Sequence, residues 1–139
     1  MALHYTLEMM NEFNDQELEN ALISSKNRYG SLLENSAFIS IKRRVSNLLN
    51  DEEFKFLIQN GEVFKEQPFM FRENRKQIDL LVKLKDKLVI IDYKTSPFVR
   101  ESHITQVNEY KDALQEITKT KTEAIIYYLH EERVEVKKV

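Results

Sequence analysis

No cysteine occurs in the 139 residues, which removes disulfides, thiolate zinc sites, iron–sulfur clusters and cysteine nucleophiles together. Glycine is found only at Gly30 and Gly61, too sparsely for a P-loop or a G-x-G-x-x-G turn, both of which need closely spaced glycines to bring backbone against phosphate. No apolar run approaches the roughly 20 residues that cross a bilayer, and the first residues lack the charged-then-apolar pattern of a secretory leader. The expectation is a cytoplasmic protein that makes no use of a membrane. What is present, 42% hydrophobic and 32% charged residues, suits one globular domain over 1–139 with a single sizeable core. There are no repeats and no low-complexity tracts.

The net charge of −2 says little about partners, but its distribution does. Nine Lys or Arg stand against five Asp or Glu between Phe64 and Arg100, a local excess of +4, whereas Glu8, Glu12, Asp15, Glu17 and Glu19 make the beginning acidic. Anion-binding surfaces are local features that a whole-chain sum conceals. A solvated lysine-rich hairpin is the plain alternative.

The stretch from Gln77 to Ser96, QIDLLVKLKDKLVIIDYKTS, carries both the clearest structure and the chemistry. Two runs rich in β-branched and aliphatic residues read as strands, joined by a turn at Lys85-Asp86. If Leu84 and Lys87 close the turn, Lys83 faces Leu88, Leu81 faces Ile90 and Asp79 faces Asp92. Alternation then places Lys94 on the face of Asp92 and Asp79, and Ile78, Leu80, Val82, Val89, Ile91 and Tyr93 on the opposite, apolar face. Carboxylates placed directly across a sheet repel, so a cation or a shared proton is needed between them. Hard divalent cations such as Mg²⁺ are commonly held by one or two carboxylates together with substrate phosphate. A lysine two residues on can orient a bound water and offset charge developing on phosphorus. Hydrolysis of a phosphodiester is the reaction these groups suit.

The rest of the chain reads as helix from Met1 to Asn11, with Leu3, Leu7 and Met10 inward and His4 beside them. A second helix follows, capped by Asn14 or Asp15 and running to about Asn27, with Leu18, Leu22 and Ile23 inward. A third is capped by Ser36 and carries Phe38, Ile41, Val45, Leu48 and Leu49 at helical spacing, and a short fourth lies from Asp51 to Gln59. Lys42, Arg43 and Ser46 form the outer face of the third helix, where a charged surface is the ordinary outcome and nucleic-acid contact the sharper one. Asn60-Gly61 breaks the fourth helix, and Glu62–Arg72 has strand character. After Pro97, Arg100–Ile117 reads as helix, with Gln106 and Tyr110 neighbours at i,i+4 beside Val107, Leu114 and Ile117. Glu123–His130 and Arg133–Val139 read as closing strands. His103 and His130 have no role legible in the sequence.

Ile78-Asp79, Ile91-Asp92-Tyr93-Lys94-Thr95 and Gln106-Val107-Asn108-Glu109-Tyr110 together resemble the PD-(D/E)XK nuclease superfamily. IDYKT followed by Q-x-x-x-Y resembles, more narrowly, the RecB-like nuclease domain at the C-terminus of RecB and AddA helicase-nuclease subunits. Asp-x-Lys alone is common; the ordered set is far more specific. The resemblance implies an α/β, restriction-endonuclease-like fold, a central mixed sheet flanked by helices. It implies a Mg²⁺-dependent deoxyribonuclease, with Mn²⁺ an alternative, acting exonucleolytically in repair and recombination of DNA breaks. His4, in His4-Tyr5-Thr6-Leu7-Glu8, would join Asp79, Asp92 and the Tyr93 carbonyl as metal ligands, with Lys94 positioning the attacking water. Gln106 and Tyr110 would organise the site's surroundings, and Glu66, in Glu66-Gln67-Pro68-Phe69, would assist as an accessory acid; an edge-strand glutamate in solvent is the other reading.

DNA, a helicase region and a partner subunit of an AddAB- or RecBCD-like complex are the implied partners, in a bacterial cytoplasm at the nucleoid. With no P-loop here, the motor would lie elsewhere, and the chain reads as an excised domain or a free-standing relative. The family pattern has glycine two or three residues before the first acid; Asn74-Arg75-Lys76-Gln77 has none. The competing class is a catalytically silent nuclease-like module that binds DNA or docks a partner subunit.

Overall fold

The computed structural model describes all 139 residues. Four helices lead the chain, α1 (Ala2–Met9), α2 (Asp15–Tyr29), α3 (Asn35–Leu49) and α4 (Glu52–Asn60). Side-chain caps serve the free backbone N–H groups at two of their starts: Asn14 accepts from the Glu17 N–H at 2.8 Å, and Asp51 from the Phe54 N–H at 3.0 Å. Ser36 does not cap α3; the helix begins at Asn35 behind Glu34, which makes no side-chain cap.

Strands β1 (Glu62–Phe71), β2 (Asn74–Lys83), β3 (Leu88–Lys94), β4 (Thr122–Leu129) and β5 (Val134–Lys138) lie in one sheet in that order, with α5 (Glu101–Thr118) crossing from β3 to β4. Only β3 and β4 run parallel, as a crossover through a helix allows. The β2–β3 turn closes as counted from sequence: the Leu84 N–H donates to the Lys87 carbonyl at 2.9 Å, and Lys83 pairs with Leu88 and Leu81 with Ile90.

Helices cover both faces of the sheet. Leu7, Leu18, Val45, Leu48 and Phe54 of the leading helices bury against Leu80, Val82, Ile91 and Tyr127. Val107, Tyr110 and Leu114 of α5 bury against Leu81, Ile90, Ile126 and Tyr128. Each large apolar side chain removed from water contributes about 1.5–3 kcal/mol, so both layers are held by burial. The inward stripe of α5 stops at Leu114, one turn before the helix ends; Ile117, expected to continue it, is exposed, as is Ile23 on α2.

Strict alternation also fails in β1 and β2, and the failure shapes the site. Ile78 packs on the α5 side, whereas Leu80 and Val82 pack against the leading helices. β1 reverses likewise, because Phe64 and Phe69, five residues apart, share the α5 side. Both reversals fall at Glu66, whose φ of 50° is left-handed, and at Asp79, which the register places opposite it. A left-handed residue turns the strand over, so every side chain beyond it changes face. Past this point Gln67–Phe71 and Asn74–Ile78 pair only with each other, the β2–β3 ladder having ended at Leu80–Ile91. The result is a two-stranded arm.

Candidate active site

The β2–β3 ladder ends at Leu80–Ile91, one step short of the expected Asp79–Asp92 pair, and the two acids lie just beyond it, close enough for the Asp79 charge to raise the Asp92 pKa. The Asp79 carboxylate reaches across the end of the ladder and accepts from the Tyr93 backbone N–H at 2.9 Å. His4 arrives from α1, its Nε2 3.1 Å from the Tyr93 carbonyl and 3.5 Å from Asp79 Oδ2. Two things fix α1 there. Leu3, Leu7 and Met10 are buried beneath it, and Lys65 of β1 donates to the Glu8 carbonyl at 3.0 Å and to that of Met10, at the helix end where a cation is favoured. The hydrogen bond to Asp79 raises the His4 pKa, against the opposing effect of burial.

Asp92 is the least comfortable group in the cluster. Its side chain is only 13% exposed, and the one partner of its buried Oδ2 is the Lys94 ammonium, 3.2 Å away in an ion pair rather than a well-aligned hydrogen bond. Burial, and after it the charge of Asp79, push its pKa up to about 6, against the pull of Lys94 and His4. Lys94 itself is aimed by α5: its Nζ donates to Gln106 Oε1 at 3.2 Å, and Gln106 Nε2 donates to the Tyr110 hydroxyl at 3.2 Å. The Tyr110 ring packs edge-on against Phe69 of the arm at 5.2 Å. The expected pairing of Gln106 and Tyr110 therefore ties Lys94 to α5 and to β1.

Glu66 stands at the position opposite Asp79. Burial raises its pKa, as do the charges of Asp79 and Glu8, so it shares the acidic end of the sheet. Lys42 and Arg43 face acids instead, at 2.5 Å from Glu19 and 3.9 Å from Glu131. His103 and Tyr128 were not singled out as site residues. Tyr128 pairs with Lys94 in the parallel β3–β4 register, and its hydroxyl lies 2.9 Å from His103 Nδ1. The available signal was helical spacing, since His103 precedes Gln106 by three residues and shares its surface.

As the side chains stand, no three His, Asp or Glu groups converge as a preformed ion site. The donor set nevertheless suits a hard divalent cation: two carboxylates, one carbonyl and one imidazole, with a buried carboxylate oxygen whose one partner is Lys94. His4 Nε2 lies 3.1 Å from Tyr93 O and 3.5 Å from Asp79 Oδ2, so three of these four donors already stand together. His4 thus occupies contacts that an ion would take over.

No protein-family model matches the chain, and no curated protein matches it. Among solved structures, the fold is similar to the crystal structure of a putative exonuclease from Eubacterium rectale, with a TM-score of 0.56 and 13% identity over 87% of this chain and 54% of that one. The chain spans about half the length of that neighbour. At this identity the likeness is one of fold alone, and in this chain that fold is a mixed five-stranded sheet flanked by helices. No helix is long and apolar enough to cross a membrane.

Proposed function

We propose that the protein is a divalent-metal-dependent deoxyribonuclease of RecB-like type, hydrolysing phosphodiester bonds from strand ends. The observation that carries this reading is Asp92: a largely buried carboxylate within reach of the charge of a second carboxylate, Asp79, and 3.2 Å from a lysine held by its own hydrogen-bond chain. An arrangement kept only for folding gains nothing from two acids close together at the end of a sheet. It gains a great deal if a cation and an anionic substrate complete it.

Asp79, Asp92, His4 and the Tyr93 carbonyl would hold Mg²⁺ or Mn²⁺. Bound there, the ion supplies Lewis acidity and a more acidic water. The protein's own groups do the rest. Lys94, fixed by Gln106, holds a water on the phosphate side of Asp92 and balances negative charge as it grows on phosphorus. Glu66 adds a third carboxylate on the Asp79 side, able to accept from a second water. Tyr110 and Phe69 keep Gln106, and hence Lys94, from swinging away. Action on strands delivered by a helicase, within repair and recombination, is the wider form of the same proposal and rests on the sequence resemblance.

The test is cleavage of end-labelled linear single- and double-stranded DNA with Mg²⁺, Mn²⁺ or EDTA, comparing the wild type with Lys94→Ala. Metal-dependent loss of DNA confined to the wild type is the expected result, and shortening from the ends identifies an exonuclease. Equal cleavage by Lys94→Ala defeats the assignment.

A further inference from the structure

Four side chains close a ring across β3, β4 and α5 at the end of the sheet where Lys94 lies. Lys94 of β3 and Tyr128 of β4 are register partners in the parallel pair, on strands about 4.8 Å apart. The Tyr128 hydroxyl lies 2.9 Å from His103 Nδ1. His103 precedes Gln106 by three residues within α5, so the two share one face of the helix, about 4.5 Å apart along its axis. Gln106 returns to Lys94, whose Nζ donates to its Oε1 at 3.2 Å. Lys94 and Gln106 already have parts in the proposed chemistry. His103 and Tyr128 have none.

The histidine of this ring is oriented unlike the other two. His4 and His130 direct Nε2 at carboxylates of the fold, Asp79 at 3.5 Å and Glu135 at 3.1 Å. His103, half-buried, turns Nδ1 inward to a fully buried tyrosine and bonds through that nitrogen alone. Burial raises the Tyr128 pKa, against the pull of the Arg100 backbone N–H and of Lys94, while Asp92 and Glu135 add to the rise; those two acids are met by Lys94 and His130. The phenol therefore keeps its proton, and with an N–H and an ammonium drawn to its oxygen that proton is directed at Nδ1. Burial, and then the charges of Lys94 and Arg100, lower the His103 pKa. A neutral imidazole that accepts at Nδ1 carries its hydrogen on Nε2. Satisfying a buried hydroxyl requires one ring nitrogen. The second, a donor beside two cations and without a partner in the fold, suits a phosphate oxygen.

We propose that His103, held by Tyr128 with its hydrogen on Nε2, donates a hydrogen bond to a phosphate of the polynucleotide substrate next to the phosphate that Lys94 faces. The neighbouring phosphate is assigned because Gln106 places Lys94 at the reacting one, and His103 stands about one helical turn nearer the start of α5. Tyr128 is a positioning residue, acting through the imidazole. Cleavage beside this contact rests on the nuclease reading; the contact itself does not.

Two measurements on the full chain test it, with each variant checked for an unchanged thermal melt. Steady-state cleavage in Mg²⁺ compares a thymidine oligonucleotide with bis(p-nitrophenyl) phosphate, whose single phosphodiester has no neighbour. His103→Ala should raise KM for the oligonucleotide roughly 10-fold, as expected for one lost hydrogen bond to a charged group, and more than it does for the single ester. His103→Gln, which offers an amide N–H at similar reach, restores it. Equal losses on both substrates, or a loss confined to kcat, overturn the proposal. The second measurement is imidazole nitrogen NMR in EDTA, with His103 assigned by its absence from His103→Gln. His103 should be the Nε2–H tautomer in the wild type and a mixture of tautomers in Tyr128→Phe. A titrated thymidine oligonucleotide should move its Nε2 resonance more than that of His130. The Nδ1–H tautomer in the wild type, or an unmoved Nε2, overturns the proposal. The two readings fail separately: a moving Nε2 without cleavage keeps the phosphate contact and removes the nuclease, and cleavage with an unmoved Nε2 does the reverse.

Discussion

The behaviour of single residues follows from what each side chain touches. Lys94 is held through Gln106 and then Tyr110, so under the proposed function Gln106→Ala should lower kcat by about 10-fold or more, less than the loss expected from removing Lys94 itself, on the order of 10²–10⁴-fold. A fall in kcat with KM nearly constant checks that Gln106 positions rather than binds. Asp92 allows a prediction that needs no activity. Its folded pKa of about 6 exceeds the ordinary carboxylate value, so between those pH values the folded protein carries more protons than the unfolded one. Stability should therefore fall as pH rises from about 4 to above 6, by about 3 kcal/mol in metal-free buffer. Urea denaturation across that range should show the decline in the wild type and its absence in Asp92→Asn. His4 has its pKa raised as well, so its contribution is present below its unfolded value and is lost as pH climbs through the folded one, above the window in which Asp92 acts alone.

At the scale of elements, the β1–β2 hairpin shows how one residue redirects a strand. Beyond the left-handed Glu66 of β1, and beyond Asp79 of β2, the two faces are exchanged, so Phe69 and Ile78 reach α5 and the outer pairs form the arm. The tip is a two-residue turn of the kind that normally employs Asn-Gly, built here from Arg72-Glu73. Glu73→Gly should relieve left-handed strain and stabilise the domain by about 1 kcal/mol, partly offset by the freedom glycine gains on unfolding. A rise in Tm checks it, and a fall would show that Glu73 makes up the difference through contacts of its own. α1 is the other decisive element, because eight residues carry His4 to the end of a sheet whose acids lie far away in sequence.

Across the whole molecule, the leading helices and α5 clamp the sheet from opposite sides, and the site lies where β2 and β3 part between them. On the proposed function, a cation held by groups from α1, β2 and β3 would tie these parts together and would be bound by the folded state alone. Mg²⁺ or Mn²⁺ should therefore raise the Tm, by an amount that grows with ion concentration as mass action requires, and binding should release protons near pH 6 because Asp92 must ionise first. Calorimetry in two buffers of different ionisation enthalpy measures that release; Asp79→Asn should abolish both effects.

Much of this was set by local sequence. The turn at Lys85-Asp86 and the period of two in the apolar residues fixed the β2–β3 register as far as Leu80–Ile91, and so brought Asp79 and Asp92 to the same end of the ladder. Helical spacing placed Gln106 beside Tyr110, and Asn14 and Asp51 marked two helix starts, because capping and periodicity act between residues close in the chain. Tertiary structure alone decided the reversal at Glu66, the exposure of Ile117 and the hold of Lys65 on α1. It also decided the meeting of His4 with Tyr93 and of His103 with Tyr128. Each depends on groups distant in sequence, or on a backbone state that no residue type dictates: glutamate enters the left-handed region only where packing on both sides outweighs its local cost.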